Sequence, residues 1–438
     1  MHMMQLPEKY LNEMKNILKD EFDLYLNSFN EEHITSLRVN ESKISVEEFL
    51  KVFPYPLEQV PWCHNGFYYR STDPVTKHPY YYAGLYYIQE ASAMLPVETL
   101  PVEENDRVLD VCAAPGGKST ELGVKLKDSG VLISNDISYS RCQALLKNLE
   151  RFGIRNAYVI SESPDKLEHY FDEYFDKILI DAPCSGEGMF RKDASLIEAW
   201  KEKDSSCYVP IQKSIMQSAL KMLKPGGYIV YSTCTFSKEE DEEIIQYALS
   251  LDDCLEVIPL PYVDGFVQNA YGTKLFPHRI HGEGHFVSLL RKKGDKIENR
   301  YCKETVTFDE GNIHACFSSS KKLEIKDRMY ACRDTGVNLD GLRIMRSGVL
   351  LAEKKKGRIE CNEILPMYLK AKELKNCISL HADDIRVIKY LKGETIDVKD
   401  QVCKDGLNVI CVDGFPLGFV KCSKGICKNK YPKAWILK

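Results

Sequence analysis

Apolar residues near the start of the chain fall at Leu11, Met14, Ile17, Leu18 and Phe22, the three- and four-residue spacing of one helical face. A strand-like run, SLRVN (Ser36–Asn40), follows, and then a segment rich in proline and tyrosine. From about Ala93 to Lys293 the pattern changes. Short apolar runs ending at Asp110, Asn135, Ile160, Asp181 and Ser232 alternate with amphipathic helical stretches, the signature of a doubly wound α/β sheet. Leu275–Ile280 and His285–Arg291 read as two more strands joined through Gly282, Glu283 and Gly284, a hairpin at the sheet edge. The polar stretch Gly294–Glu304 reads as a linker. Beyond it 305–378 is mixed, and 379–438 has apolar runs broken by Asp-Gly and Ser-Lys-Gly turns, as in a small β-rich module. The pattern thus divides the chain into 1–92, 93–293, 305–378 and 379–438.

Composition fits a soluble globular protein of several domains: 438 residues, 44% hydrophobic and 28% charged. Proline, glutamate and lysine interrupt the first twenty residues before an apolar stretch can form, so neither a secretory signal nor a membrane anchor is predicted and a cytoplasmic protein is expected. The net charge of −5 is unevenly spread. Residues 305–438 hold 25 basic against 17 acidic side chains, and after Asp413 come Lys421, Lys424, Lys428, Lys430, Lys433 and Lys438 with no acid among them. A basic end on an acidic body points to a polyanionic partner. The sixteen cysteines are too scattered for a disulfide framework. Cys403, Cys411, Cys422 and Cys427 are the densest group, but they form no CxxC pair and have no histidine beside them, so no metal site is predicted.

RVLDVCAAPGGKST joins a strand, a glycine loop and a helix start near Ser119 and Thr120. Gly116 and Gly117 let backbone approach a ligand closely, and the helix start offers free N–H groups. A P-loop is excluded, because its first glycine would fall on Cys112, and GxGxxG is absent as well. Asp136 follows the second strand, where such folds set an acid on ribose hydroxyls. A nucleoside cofactor without a polyphosphate fits, and S-adenosylmethionine is the common one. Strand-end topology then brings the glycine loop, Asp136, Asp181, Cys184 (DAPCSG) and Cys234 (STCT) to one edge. Two thiols, a carboxylate and a methyl donor suit methylation of cytosine C5, a carbon that becomes nucleophilic only after a thiolate adds to C6. Spacing does not decide which thiol attacks, and the Pro-Cys setting of Cys184 is the one that DNA cytosine methyltransferases use. Arg191 and Lys192 follow the Cys184 loop and are candidates for the flanking phosphates. Tyr68, Tyr69, Tyr80, Tyr81, Tyr82, Tyr86 and Tyr87 are candidates for stacking on bases, or for packing.

VCAAPGGKS, DAPCSG, STCT and SLRVN together resemble the motifs of the Nop/Sun family of RNA cytosine-C5 methyltransferases, and LYYIQEASAM, DGFPLGF and KNKYPK are similar to its branch acting on 16S ribosomal RNA. The resemblance implies a Rossmann-like class I methyltransferase core, an N-terminal RNA-binding region and a C-terminal α+β extension ending in a PUA-like module, acting as a monomer. It implies that Cys234 attacks C6, Cys184 assists release, and Asp181 meets cytosine N3 near the methyl donor. Cys112, Ala113, Ala114, Pro115, Gly116, Gly117 and Lys118 would wrap S-adenosylmethionine, with Asp136 on its ribose and Glu162 or Ser163 at the adenine. Lys428 and Lys430 would contact RNA, either 16S ribosomal RNA or the small subunit. The same chemistry on transfer RNA, or a non-catalytic assembly factor, is the alternative.

Overall fold

The computed structural model describes residues 6–437, so Lys438 of the basic end lies outside it. A ten-stranded sheet occupies the centre. Its middle is five parallel strands: β1 (Arg107–Asp110), β2 (Val131–Asn135), β3 (Ala157–Ile160), β4 (Phe175–Asp181) and β5 (Leu223–Thr233). They lie in the order β3-β2-β1-β4-β5. Apolar clusters cover both faces, which is why these strands are near-continuous apolar runs rather than alternating ones. The chain leaves β1 toward β2 and β3 and returns on the other side to β4, and this reversal opens a crevice beyond the carboxyl ends of β1 and β4.

Beside β5 the sheet continues with antiparallel His285–Lys292 and then Gly272–Leu275. The expected hairpin is therefore shifted. Its first arm ends at Leu275, opposite His285, and Phe276–Ile280 curls into a turn in which the Arg279 N–H donates to the Phe276 carbonyl at 2.9 Å. Pro277, with no N–H to give a ladder, explains why the strand stops there. His285–Lys292 is flanked on both sides and so is interior, not an edge.

The N-terminal helix Glu8–Leu18 buries Tyr10, Met14 and Leu18 against Phe190, Trp200 and Phe236 of the core. Thr35–Val39 is central in a four-stranded antiparallel sheet, and from it Arg38 enters the protein interior. Its guanidinium pairs with Glu121 at 2.8 Å, donates to the Gly117 carbonyl at 2.9 Å and Thr120 Oγ1 at 2.8 Å, and reaches Gln89 Oε1 at 2.5 Å.

The stretch after the core is more entangled than a linker and a separate domain. Asn299 and Tyr301 hydrogen-bond back to Asp176 and to the Asn105 carbonyl, and Ile344–Ser347 adds an antiparallel strand to β3. The C-terminal five-stranded sheet runs from Cys377–Leu380 to Ile426–Asn429, so its first strand straddles the division at residue 378. Its apolar residues join one cluster with the N-terminal sheet, which includes Leu37 and Val39 on one side and Ile410 and Leu417 on the other. Cys422 and Cys427 face each other on adjacent strands and form a disulfide, a pairing that scattered spacing does not reveal. Cys403 sulfur lies within 4.8 Å of both. Among the described residues, no helix is long and apolar enough to cross a membrane.

Replacing Arg38 by Met would leave the Glu121 carboxylate buried without its cation. R38M is expected to lower unfolding free energy by about 3–5 kcal/mol, read from urea denaturation; a loss below about 1 kcal/mol would contradict this anchoring role.

Candidate active site

Beyond β1 the chain turns through Val111–Gly116 into the helix Gly117–Lys125. Gly116 has φ +112°, a backbone that side chains disfavour, and a Cβ on Gly117 would come within 3.1 Å of the Tyr87 ring. Asp110, at the end of β1, is fully buried. Ser119 Oγ donates to its Oδ2 at 2.7 Å, Oδ1 has no partner, and burial pushes its carboxyl up to about 7. After β2, Asp136 is pinned against the glycine loop: its carboxylate accepts from the Ala114 N–H at 3.3 Å and the Ser138 N–H at 2.9 Å, with Arg141 at 3.3 Å.

A cleft of about 660 Å³ runs along these strand ends. It is lined by Cys112, Ala114, Asp136, Ser163, Asp181, Cys184 and Cys234, which brings the three predicted catalytic residues together with part of the predicted cofactor set. Ala113, Pro115, Gly117 and Lys118 instead border a smaller cleft of about 290 Å³ on the Tyr87 side of the loop; Asp181 touches both clefts. Of the two adenine candidates, Ser163 lines the large cleft. Glu162 turns away to accept from Lys166 Nζ and the Arg343 N–H, both at 2.8 Å. Ile137, 67% exposed at the cleft directly after Asp136, and Asp165 were not anticipated; an apolar side chain following a strand-end acid was the available signal. The cleft offers what a nucleoside cofactor needs: a close-approach loop, a fixed acid and an apolar surface.

The two cysteines meet because β4 and β5 end level. Asp181 is in register with Ser232, and the loops that follow bring Cys184 Sγ to 3.4 Å from Cys234 Sγ. The loops are stitched together by the Gly188 N–H to the Cys234 carbonyl at 2.9 Å and the Phe236 N–H to Glu187 at 3.1 Å. The contact with Cys234, and then burial, hold the Cys184 thiol well above its usual range, so Cys184 keeps its proton. Asp181 is the reverse case. Burial pushes it up, but Lys118 Nζ at 2.8 Å and the Ser232 hydroxyl more than offset this and keep it below the ordinary carboxylate range. His285 Nε2 lies 3.8 Å from Asp181 and is held neutral, its pKa lowered to about 3 by burial and by Lys118. His285 gives no sequence signal, because its strand pairs beside β5 only after a long excursion.

The phosphate candidates separate. Lys192, Lys428 and Lys430 are exposed. Arg191 is buried, 3.5 Å from Glu283, and so is withdrawn from the surface where a phosphate would lie. The tyrosines divide likewise. Tyr80, Tyr82 and Tyr86 are buried, the Tyr86 hydroxyl donating to the Val75 carbonyl at 2.6 Å and that of Tyr80 to Asp413 at 3.0 Å, so these three pack rather than stack on bases.

A reversed parallel sheet, a glycine loop after β1, an acid after β2 and reactive side chains after β4 and β5 define a Rossmann-like methyltransferase. The family model of 16S rRNA methyltransferase RsmB/F matches residues 97–291, that of the N-terminal domain of 16S rRNA methyltransferase RsmF residues 6–91, and that of the methyltransferase RsmF PUA domain residues 377–437. The ribosomal RNA small subunit methyltransferase F of Vibrio parahaemolyticus is 30% identical, with 98% of this chain and 97% of the relative covered. The chain belongs to the RsmF branch of the RsmB/F family of 16S rRNA methyltransferases. Among solved structures, a methyltransferase homolog from Pyrococcus horikoshii is 29% identical, with TM-score 0.58 over 66% of this chain and 96% of that one. NSun6 from Pyrococcus horikoshii, at 21% identity and TM-score 0.58 over 67% of this chain and 100% of that one, shares the fold.

Asp110 carries a pH test. Its carboxyl holds its proton to about pH 7 when folded but only to about 3.8 when unfolded, so its contribution favours folding at low pH and is lost as pH rises through that window. D110N is expected to gain stability relative to the parent between about pH 4 and 7, by at most roughly 4 kcal/mol, and to level off above. Denaturant midpoints of the cofactor-free protein across that range measure it, and parallel pH profiles would contradict it.

Proposed function

We propose that this protein transfers a methyl group from S-adenosylmethionine to C5 of a cytosine in 16S ribosomal RNA through a covalent adduct on Cys234. The observation that carries this reading is the pair of thiols 3.4 Å apart beside an ionised Asp181. The family is one of 16S rRNA methyltransferases, and the donor supplies a sulfonium methyl. The glycine loop and Asp136 would hold the donor in the large cleft, with Ser163, Asp165 and Ile137 at its far end.

Cys234, having given its proton to solvent, adds to C6 as the thiolate, and Cys184, 3.4 Å away, is the thiol beside it. The Lys118–Asp181 pair meets the polar edge of the ring. Asp181 accepts from the base, and Lys118 is the source of the proton that N3 needs for C5 to become enamine-like. Methyl transfer leaves S-adenosylhomocysteine and N3 returns its proton to Lys118; the C5 proton then passes to water and the C6–S bond breaks, the electron pair returning to Cys234. Cys184 assists by hydrogen-bonding to the departing sulfur. The ring must be unstacked to reach the thiols, so the target lies in exposed or flipped-out RNA. Lys192, Lys428 and Lys430 support phosphate contacts whose strength falls with salt. The site of action would be the cytoplasm.

C234A is expected to abolish methylation, and C184A to trap a protein–RNA adduct that denaturing gels resolve from free protein. Product release by C184A at the parent rate would contradict the two-thiol mechanism. Bisulfite sequencing of 16S ribosomal RNA with and without the protein tests the substrate; no cytosine losing its mark would contradict it.

A further inference from the structure

Glu240 lies six residues after Cys234 and is completely buried, yet it has no part in the chemistry above. Its Oε2 accepts from the Ser185 N–H at 3.0 Å and from Gln212 Nε2 at 2.8 Å, and its Oε1 accepts from Ser185 Oγ. Ser185 directly follows Cys184. Ser185 Oγ also lies 2.8 Å from Thr235 Oγ1, and Thr235 directly follows Cys234. Gln212 Nε2 donates as well to the carbonyl of Pro183, the residue before Cys184, at 2.9 Å. One carboxylate therefore grips the chain on both sides of one cysteine and, through a single hydroxyl, the residue after the other.

Ser185 commits its hydroxyl proton to Glu240, so the Thr235 hydroxyl, which also meets the Glu187 carboxylate, is the one that reaches across to Ser185 Oγ. The arrangement is costly. A buried carboxylate gives up its hydration, so it is kept only where protein donors replace the lost water. Burial pushes the Glu240 pKa up, and the donors from Ser185 and Gln212 oppose that push.

We propose that Glu240 is a positioning residue that locks the Cys184 loop against the Cys234 loop and thereby sets the separation of the two sulfurs for product release. This rests on the two-thiol reading given under Proposed function. Of the two sulfurs, attack on C6 needs only that of Cys234, whereas release needs both in place, so a loosened clamp acts mainly on release. Misplacement by about 1 Å can cost about a hundredfold in rate.

The test uses the full chain with E240Q, T235V and the double variant. E240Q keeps the shape of the side chain but turns an NH2 toward a donor, and T235V removes one hydroxyl at nearly constant volume. Cofactor affinity is measured by calorimetry with S-adenosylmethionine, and adduct and methylated product are followed in single turnovers on 16S ribosomal RNA. E240Q is expected to bind cofactor as the parent does, to accumulate adduct, and to release product at least about tenfold more slowly. T235V should share this signature, and the double variant should be no slower than E240Q, since both cut one chain. Parent-like release by E240Q, or effects of the two substitutions that multiply, would overturn the inference. So would a joint loss of cofactor binding and adduct formation in T235V, which would mark a role in folding alone; T235V also decides the matter if E240Q does not fold. C234A and C184A run in parallel separate the two levels. An adduct in C234A removes the two-thiol reading itself, whereas trapping by C184A beside parent-like E240Q removes only the positioning role.

Discussion

Neighbouring parallel strands that end level with each other deliver the loops after them to the same place, and in this chain those strands are β4 and β5, with Asp181 beside Ser232. Cys184 and Cys234 then need only three and two further residues to come together. Because both faces of the sheet are packed, the strand ends form a rigid platform, and the sulfurs inherit that rigidity. The same level edge brings Lys118, from the helix after the glycine loop, onto Asp181, so one ion pair joins the glycine-loop helix to the strand that leads to Cys184.

The flanking regions are bound into this platform. Arg38 joins the N-terminal sheet to the first turn of the glycine-loop helix, and the N- and C-terminal sheets close a common apolar cluster. Trp435 lies against Arg151 on the helix Tyr139–Phe152 of the core. The exposed lysines of the last module are therefore carried on a body fixed to the core rather than on a free tail, which gives them a defined relation to the cleft.

What the chain discloses before folding is what local pattern and topology control. Strands buried on both faces are apolar runs whatever their neighbours, so the strand ends at Asp110, Asn135, Ile160, Asp181 and close to Ser232 were legible, and with them the convergence of the glycine loop, Asp136, Cys184 and Cys234. What stayed hidden depends on partners far away in sequence. Glu162 leaves the cleft because the Arg343 N–H draws it, and Arg191 is withdrawn by Glu283. His285 reaches Asp181 only through antiparallel pairing beside β5. Ile344–Ser347 joins a sheet begun more than two hundred residues earlier, and the Cys422–Cys427 disulfide needs the register of a hairpin. Even the order of the two thiols was not a matter of spacing; resemblance suggested it.

The central claim is that Cys234 is the sulfur bonded to the base. The most direct measurement uses 16S ribosomal RNA carrying 5-fluorocytidine, whose C5 has no proton to lose after methyl transfer, so the adduct on the unaltered protein cannot resolve. Digestion and mass spectrometry then identify the modified cysteine. The nucleotide is expected on the peptide containing Cys234 and none on Cys184; a nucleotide on Cys184, with Cys234 free, would contradict attack by Cys234.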